Sequence, residues 1–160
     1  MSLASWKAEF LRTPAENAAE GTVGEVLLHS LNKWHGLTTE DLTEHQLSKS
    51  DGSSKLSDLK IGGIEWIADD TCSLCYAAKR ATYPLVGPAM SIDELGLNGF
   101  GDQHCKNCLL AHYGEKKGCI PEYHTFIDGS DPRPMIYLLS KALAGAIEAG
   151  HCDIPAKDAV

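Results

Sequence analysis

Six cysteines lie in a chain of 160 residues, and five of them fall between positions 72 and 119. They form two Cys-x-x-Cys pairs, Cys72 with Cys75 and Cys105 with Cys108, separated by 29 residues, with Cys119 ten residues further on. Each pair sets two sulfurs on one turn, and two pairs supply the four ligands of a tetrahedral zinc site. The gap exceeds the about 15–20 residues of a simple zinc ribbon, but it contains Pro84, Pro88 and several glycines and so can loop out. The spacing predicts one structural Zn2+ held by Cys72, Cys75, Cys105 and Cys108. Cys119, His104, His112 and His124 are alternates for the fourth position. An iron–sulfur cluster also takes four thiolates, so the spacing leaves the identity of the metal open, and a metal-free reduced or paired set remains a further outcome. A thioredoxin-like redox pair is disfavoured, because it wants a Cys-x-x-Cys opening a helix after a strand and neither pair has a βαβ pattern around it.

Composition bounds the alternatives. The chain is 43% hydrophobic and 22% charged, as in an ordinary water-soluble globule. No apolar run approaches the about 20 residues of a membrane span, and the N-terminus lacks a basic stretch followed by an apolar one, so no secretory signal is read. A cytoplasmic setting is therefore expected, where clustered cysteines are more often metal ligands than disulfides. The net charge is −8, spread along the chain. Phosphate contacts need clustered Lys and Arg, and the densest group is Lys116 and Lys117 with Lys106 nearby, so neither nucleic acid nor membrane is expected as a partner.

The elements that must position the cysteines are read next. Leu3 to Leu11 suits a short helix ended by Pro14. Thr22 and Glu25 form a capping box, and Val23, Val26, Leu27, Leu31 and Trp34 recur at helical spacing. This predicts a helix over 23–35, with Gly36 in the left-handed position after its end. Thr38 caps a second short helix with Asp41, and Leu42 and Leu47 form its apolar face. Residues 48–55 read as a polar loop. Leu59 and Ile61, then Ile64 and Trp66, alternate with polar residues around Gly62-Gly63, which predicts a β-hairpin running into Cys72. Helical stretches follow each cysteine pair. A closing helix starts at Asp131 and Pro132, carries Met135, Leu138, Leu139, Ala142, Leu143, Ala146 and Ile147 as its stripe, and stops at Gly150.

The expected fold class is α+β and mainly helical: a small β-hairpin feeding a two-knuckle, zinc-finger-like cysteine centre closed by a C-terminal helix. The expected organisation is a single domain, 1–160, with a helical half 1–50, a hairpin and cysteine-rich half 56–150, and a loose tail 151–160. His29 reads as a core or surface residue of its helix. His35 and His45 sit near helix ends, where a cation is favourable. Cys152 reads as a tail residue.

"HCKNCLLAH" beside an earlier Cys-x-x-Cys invites comparison with treble-clef HNH nucleases, in which a histidine activates water and a metal sits on phosphate. Residues 76–104 hold no histidine other than His104, which abuts a knuckle cysteine, so the nuclease is the alternative rather than the first reading. A binder of a small molecule or nucleotide signal is a further alternative. Gly96–Gly101, "GLNGFG", follows no predicted strand and reads as a loop rather than a phosphate cradle.

Taken together, "LNKWHGLTTEDLTEH", "CSLC", "CKNCLLAHYGEKKGC" and the helix near "PRPM" resemble a loose group of small proteins of tailed bacteriophages. That group carries a Lys-Trp-x-Gly-Leu segment and paired Cys-x-x-Cys motifs over roughly residues 23–145 here. It has no established activity, so the resemblance implies no catalytic residue. It implies an accessory or anti-defence protein in the cytoplasm of an infected host, binding a host or defence protein. The first functional reading is accordingly a non-enzymatic, zinc-stabilised protein-interaction module.

Overall fold

The computed structural model describes residues 3–47, 72–82, 107–114, 122 and 131–159. Helix α1, Leu3–Trp6, runs into a π-helical turn, Lys7–Leu11. The short α2, Ala15–Ala18, follows Pro14. Helix α3, Val23–His35, starts as its sequence requires. Thr22 Oγ1 accepts from the Glu25 amide at 3.3 Å, and the Thr22 amide donates to Glu25 Oε2 at 2.8 Å. Val23, Val26, Leu27, His29, Ser30, Lys33 and Trp34 are its buried residues. Fully burying a side chain such as Leu27 is worth about 1.5–3 kcal/mol. Helix α4, Thr39–Glu44, is capped by Thr38, whose hydroxyl accepts from the Asp41 amide at 3.2 Å.

Gly36 is right-handed, with φ −69°, and not left-handed as the sequence reading expected. Its glycine answers to close approach instead. A β-carbon there would run into the Phe10 ring, and the Gly36 carbonyl accepts from Trp6 Nε1 at 2.6 Å. The N-terminal segment is thereby anchored across the end of α3.

In the second half, α5 covers Ser73–Thr82, α6 Leu109–Tyr113 and α7 Arg133–Ala149. Asp131 Oδ1 accepts from the Arg133 amide at 3.0 Å at the start of α7. The Arg133 side chain and amide together hold the Asp131 carboxyl below its usual range. Gly150, with φ 70°, ends the helix in the left-handed conformation that glycine takes without strain. Met135, Leu138, Leu139, Ala142 and Ala146 are buried, whereas Ile147 faces out. Helix α7 packs mainly on α3 and α6, and α5 packs on α3 and α2, giving one layer-on-layer helical core.

The α+β assignment is corrected by this architecture. Of the described residues 72% are helical, and none lies in a β-strand. The residues of the expected hairpin, 59–66, lie outside the described residues. The expectation rested on the alternating runs around Gly62-Gly63, with the second strand leading into Cys72. Instead the Tyr76 amide donates to the Cys72 carbonyl at 3.1 Å, so this stretch opens a helix. A short alternating run is a weak strand signal, and it does not fix the conformation of the residues that follow it.

The tail also departs from expectation. The Val23 amide donates to the Ile154 carbonyl at 2.9 Å, the Gly24 amide to the Cys152 carbonyl at 3.0 Å, and the Ala156 amide to the Gly21 carbonyl at 3.0 Å. A 3-10 turn, Ala156–Asp158, then packs on α5, with Ala156 buried. The first amides of any helix lack intrahelical partners, and here the tail supplies them.

Candidate functional site

Cys72 stands at the N-cap of α5 and Cys75 in its first turn. The start of α5 is fixed by Ser73, whose hydroxyl donates to the Val26 carbonyl of α3 at 3.0 Å in a buried setting. This places the Cys72 sulfur against the face of α3 that carries Lys33. The thiol of Cys72 is held well below the ordinary thiol range. Its largest cause is the hydrogen bond from the Cys75 thiol. Burial pushes the other way, while the charge of Lys33 and the amides of Cys75 and Leu74 favour the thiolate. The result is an electron-rich sulfur next to a second thiol on one helical turn. Chemically, such a pair is half of a soft-metal site, since the thiolate and not the thiol is the ligand.

Cys108 is buried at the N-cap of α6. Its neighbour Asn107 donates from Nδ2 to Thr82 Oγ1 at 3.0 Å, which ties the start of α6 to the last residue of α5. Cys72 lies ten residues before Thr82, about 15 Å along the helix at 1.5 Å per residue. Among the described residues no three His, Cys, Asp or Glu side chains come together as a metal-ligand group, so Cys72, Cys75 and Cys108 are not brought together in one. His112 is exposed on α6. Cys105, His104, Cys119 and His124 lie outside the described residues. Cys72, Cys75, Cys108 and Cys152 are not joined in disulfides.

Two features escaped the sequence reading. Lys33 is fully buried. The signal was present: Lys33 follows Ser30 by three residues and Val26 by seven, so it occupies the buried phase of α3. The second is His45, which is buried and bonded on both nitrogens, Nδ1 with Ser5 Oγ at 2.8 Å and Nε2 with Glu9 Oε2 at 3.0 Å. The order serine, histidine, carboxylate has the form of a nucleophile, a base and an orienting acid. Glu9 is 59% exposed in its side chain and Ser5 sits in a single helical turn, so the chain acts as a clasp joining α1, the π turn and the end of α4. The histidine meets side chains there and not the helix-end carbonyls the sequence suggested.

Compared with family models, curated proteins and solved structures, the chain matches none. Among the described residues no helix is long and apolar enough to cross a membrane.

Proposed function

We propose that the protein is a non-enzymatic interaction module whose cysteine-rich half is braced by one metal ion, zinc by the ligand chemistry, with Cys72 and Cys75 as its anchoring pair. The observation that carries this reading is the Cys72 sulfur, made thiolate-like at the N-terminus of α5 beside the Cys75 thiol and the Lys33 charge. Two thiolates on one turn fit half of a tetrahedral set. The remaining ligands are drawn from Cys105, Cys119, His104 and His124, which lie outside the described residues. When bound, the metal contributes folding free energy by tying these segments to α5.

The partner is a protein, in keeping with the infected-host setting that the resemblance to a group of small bacteriophage proteins implies. Leu28 on α3 and Tyr137 and Ile147 on α7 are the exposed large apolar side chains among the described residues, and these two helices pack on one another. Large aromatic and apolar side chains of this kind supply the energetic centre of protein interfaces.

Metal analysis of the reduced full-length protein tests the reading. About one equivalent of zinc is expected, with a lower melting temperature after chelation and loss of metal in Cys72→Ser and Cys75→Ser. Metal-free protein of unchanged stability would sink the metal reading. Metal-dependent cleavage of DNA or RNA, lost in His104→Ala or His112→Ala, would replace the module with the nuclease.

A further inference from the structure

The junction between the π turn and α2 encloses a cleft of about 350 Å³ against α5. Its size falls within the range of small-molecule sites, about 300–1,000 Å³. Lys7, Leu11, Arg12, Thr13 and Glu16 line it from the N-terminal segment, and Tyr76 lines it from α5.

The backbone that presents Arg12 is costly. The Arg12 amide donates to the Lys7 carbonyl at 2.9 Å, closing the π turn, and the Thr13 amide donates back to the Leu11 carbonyl. Arg12 is therefore the central residue of a γ-turn, with φ 54° and ψ −47°. This turn is the rare, strained form for a residue with a side chain. Strain of that kind persists only where neighbours over-determine it. One such neighbour is visible: His29 Nε2 donates to the Thr13 carbonyl at 2.7 Å and pins the residue after the turn. Glycine would relieve the strain, yet the position holds an arginine that lines the cleft.

The chemistry of the lining defines the ligand. Lys7 and Arg12 oppose one carboxylate, Glu16, so the cleft carries a surplus of one positive charge in a chain of net charge −8. A guanidinium recognises carboxylate or phosphate oxygens through paired donors. The Tyr76 ring offers a flat apolar face, with the Lys79 ammonium 5.3 Å from its centroid. We propose that this cleft binds a small monoanion bearing a planar ring, its charged group on Arg12 and Lys7 and its ring on Tyr76. This goes beyond the interaction-module reading and does not depend on it.

Calorimetric titration of the full-length protein at low salt tests this with four probes. Salicylate and cyclic adenosine monophosphate each combine a planar ring with one negative charge. Adenosine has the ring without the charge, and acetate the charge without the ring. One or both of the first two are expected to bind with Kd below about 1 mM, and adenosine and acetate at least about tenfold more weakly. Binding by salicylate alone assigns a carboxylate ligand, and binding by the cyclic nucleotide alone a phosphodiester. Arg12→Gly is expected to keep the melting temperature, because glycine takes a positive φ freely, and to weaken binding at least about tenfold. Tyr76→Leu is expected to weaken it similarly. Amide shifts at Arg12 and Thr13 on titration locate the site independently of any variant. Failure of both ring-bearing anions to bind, acetate binding as well as they do, or unchanged affinity in Arg12→Gly would overturn the proposal.

Discussion

Among the described residues Lys33 is the lysine that carries its side chain fully into the interior. Lysine is almost never fully buried without a partner. Here the positive charge favours the thiolate of Cys72 and the ammonium lies 5.2 Å from the centroid of the Trp34 ring. Lys33 acts on that sulfur after the Cys75 thiol and together with the amides of Cys75 and Leu74. Removing one member of a buried pair costs about 3–5 kcal/mol. Lys33→Ala is expected near the low end, about 3 kcal/mol, because the thiol can take up a proton once the charge is gone. Lys33→Met, which keeps the volume, should lose less. Urea denaturation of the two variants measures this, and a loss within about 0.5 kcal/mol in Lys33→Ala would remove the pair from the core. At this scale the sequence held a signal at Lys33, which stands in the buried phase of α3, but the apolar periodicity alone passed over it. The sequence was silent at Arg12, because Leu11-Arg12-Thr13 contains none of the Gly, Asn or Asp that mark a positive φ. The Cys-x-x-Cys spacing singled out Cys72 and Cys75 but not the Lys33 and Ser73 that set their environment.

Each well-read element had its start signal within four residues of its first turn. Thr22 with Glu25 and Thr38 with Asp41 are local patterns, and the hydrogen bonds they imply are present in α3 and α4. Thr22→Ala removes the acceptor for the Glu25 amide and is expected to cost about 1 kcal/mol. Thermal denaturation of that variant beside Thr22→Ser, which keeps the hydroxyl, isolates the cap. Equal losses in the two would show that the methyl group, and not the hydrogen bond, matters. Element ends were less legible. Gly36 looks like a left-handed cap from its place after His35, but what it accommodates is the ring of Phe10, 26 positions earlier. A glycine kept for close approach and a glycine kept for its φ read alike in a sequence. The hairpin expectation shows the same limit from the other side. A short alternating run has no partner until a neighbouring strand is known, whereas the amphipathic faces of α3 and α7 predict one another.

At the scale of the whole molecule, the largest correction concerns the last ten residues. Polar, proline-containing and placed after a clear helix stop, they read as loose because their partners lie at the other end of the chain. In the fold they close over the N-terminus of α3, where Ile154 and Cys152 carbonyls take the Val23 and Gly24 amides. Gly24 fits this contact, since a β-carbon there would sit 3.2 Å from Cys152 atoms. The tail therefore couples α3 to α5, and through them the Thr22 cap to the cysteine pair. Deleting residues 151–160 opens four backbone hydrogen bonds, those to Gly21, Val23 and Gly24 and that of the His151 amide to the Ala146 carbonyl, each worth about 1 kcal/mol net, and uncovers the apolar contact of Ala156. A loss of about 3 kcal/mol or more is expected. Hydrogen exchange should accelerate at Val23 and Gly24 ahead of the middle of α3, because those two amides have no partner within the helix. A truncated protein that melts with the parent and protects both amides equally well would show that the tail follows the fold without supporting it.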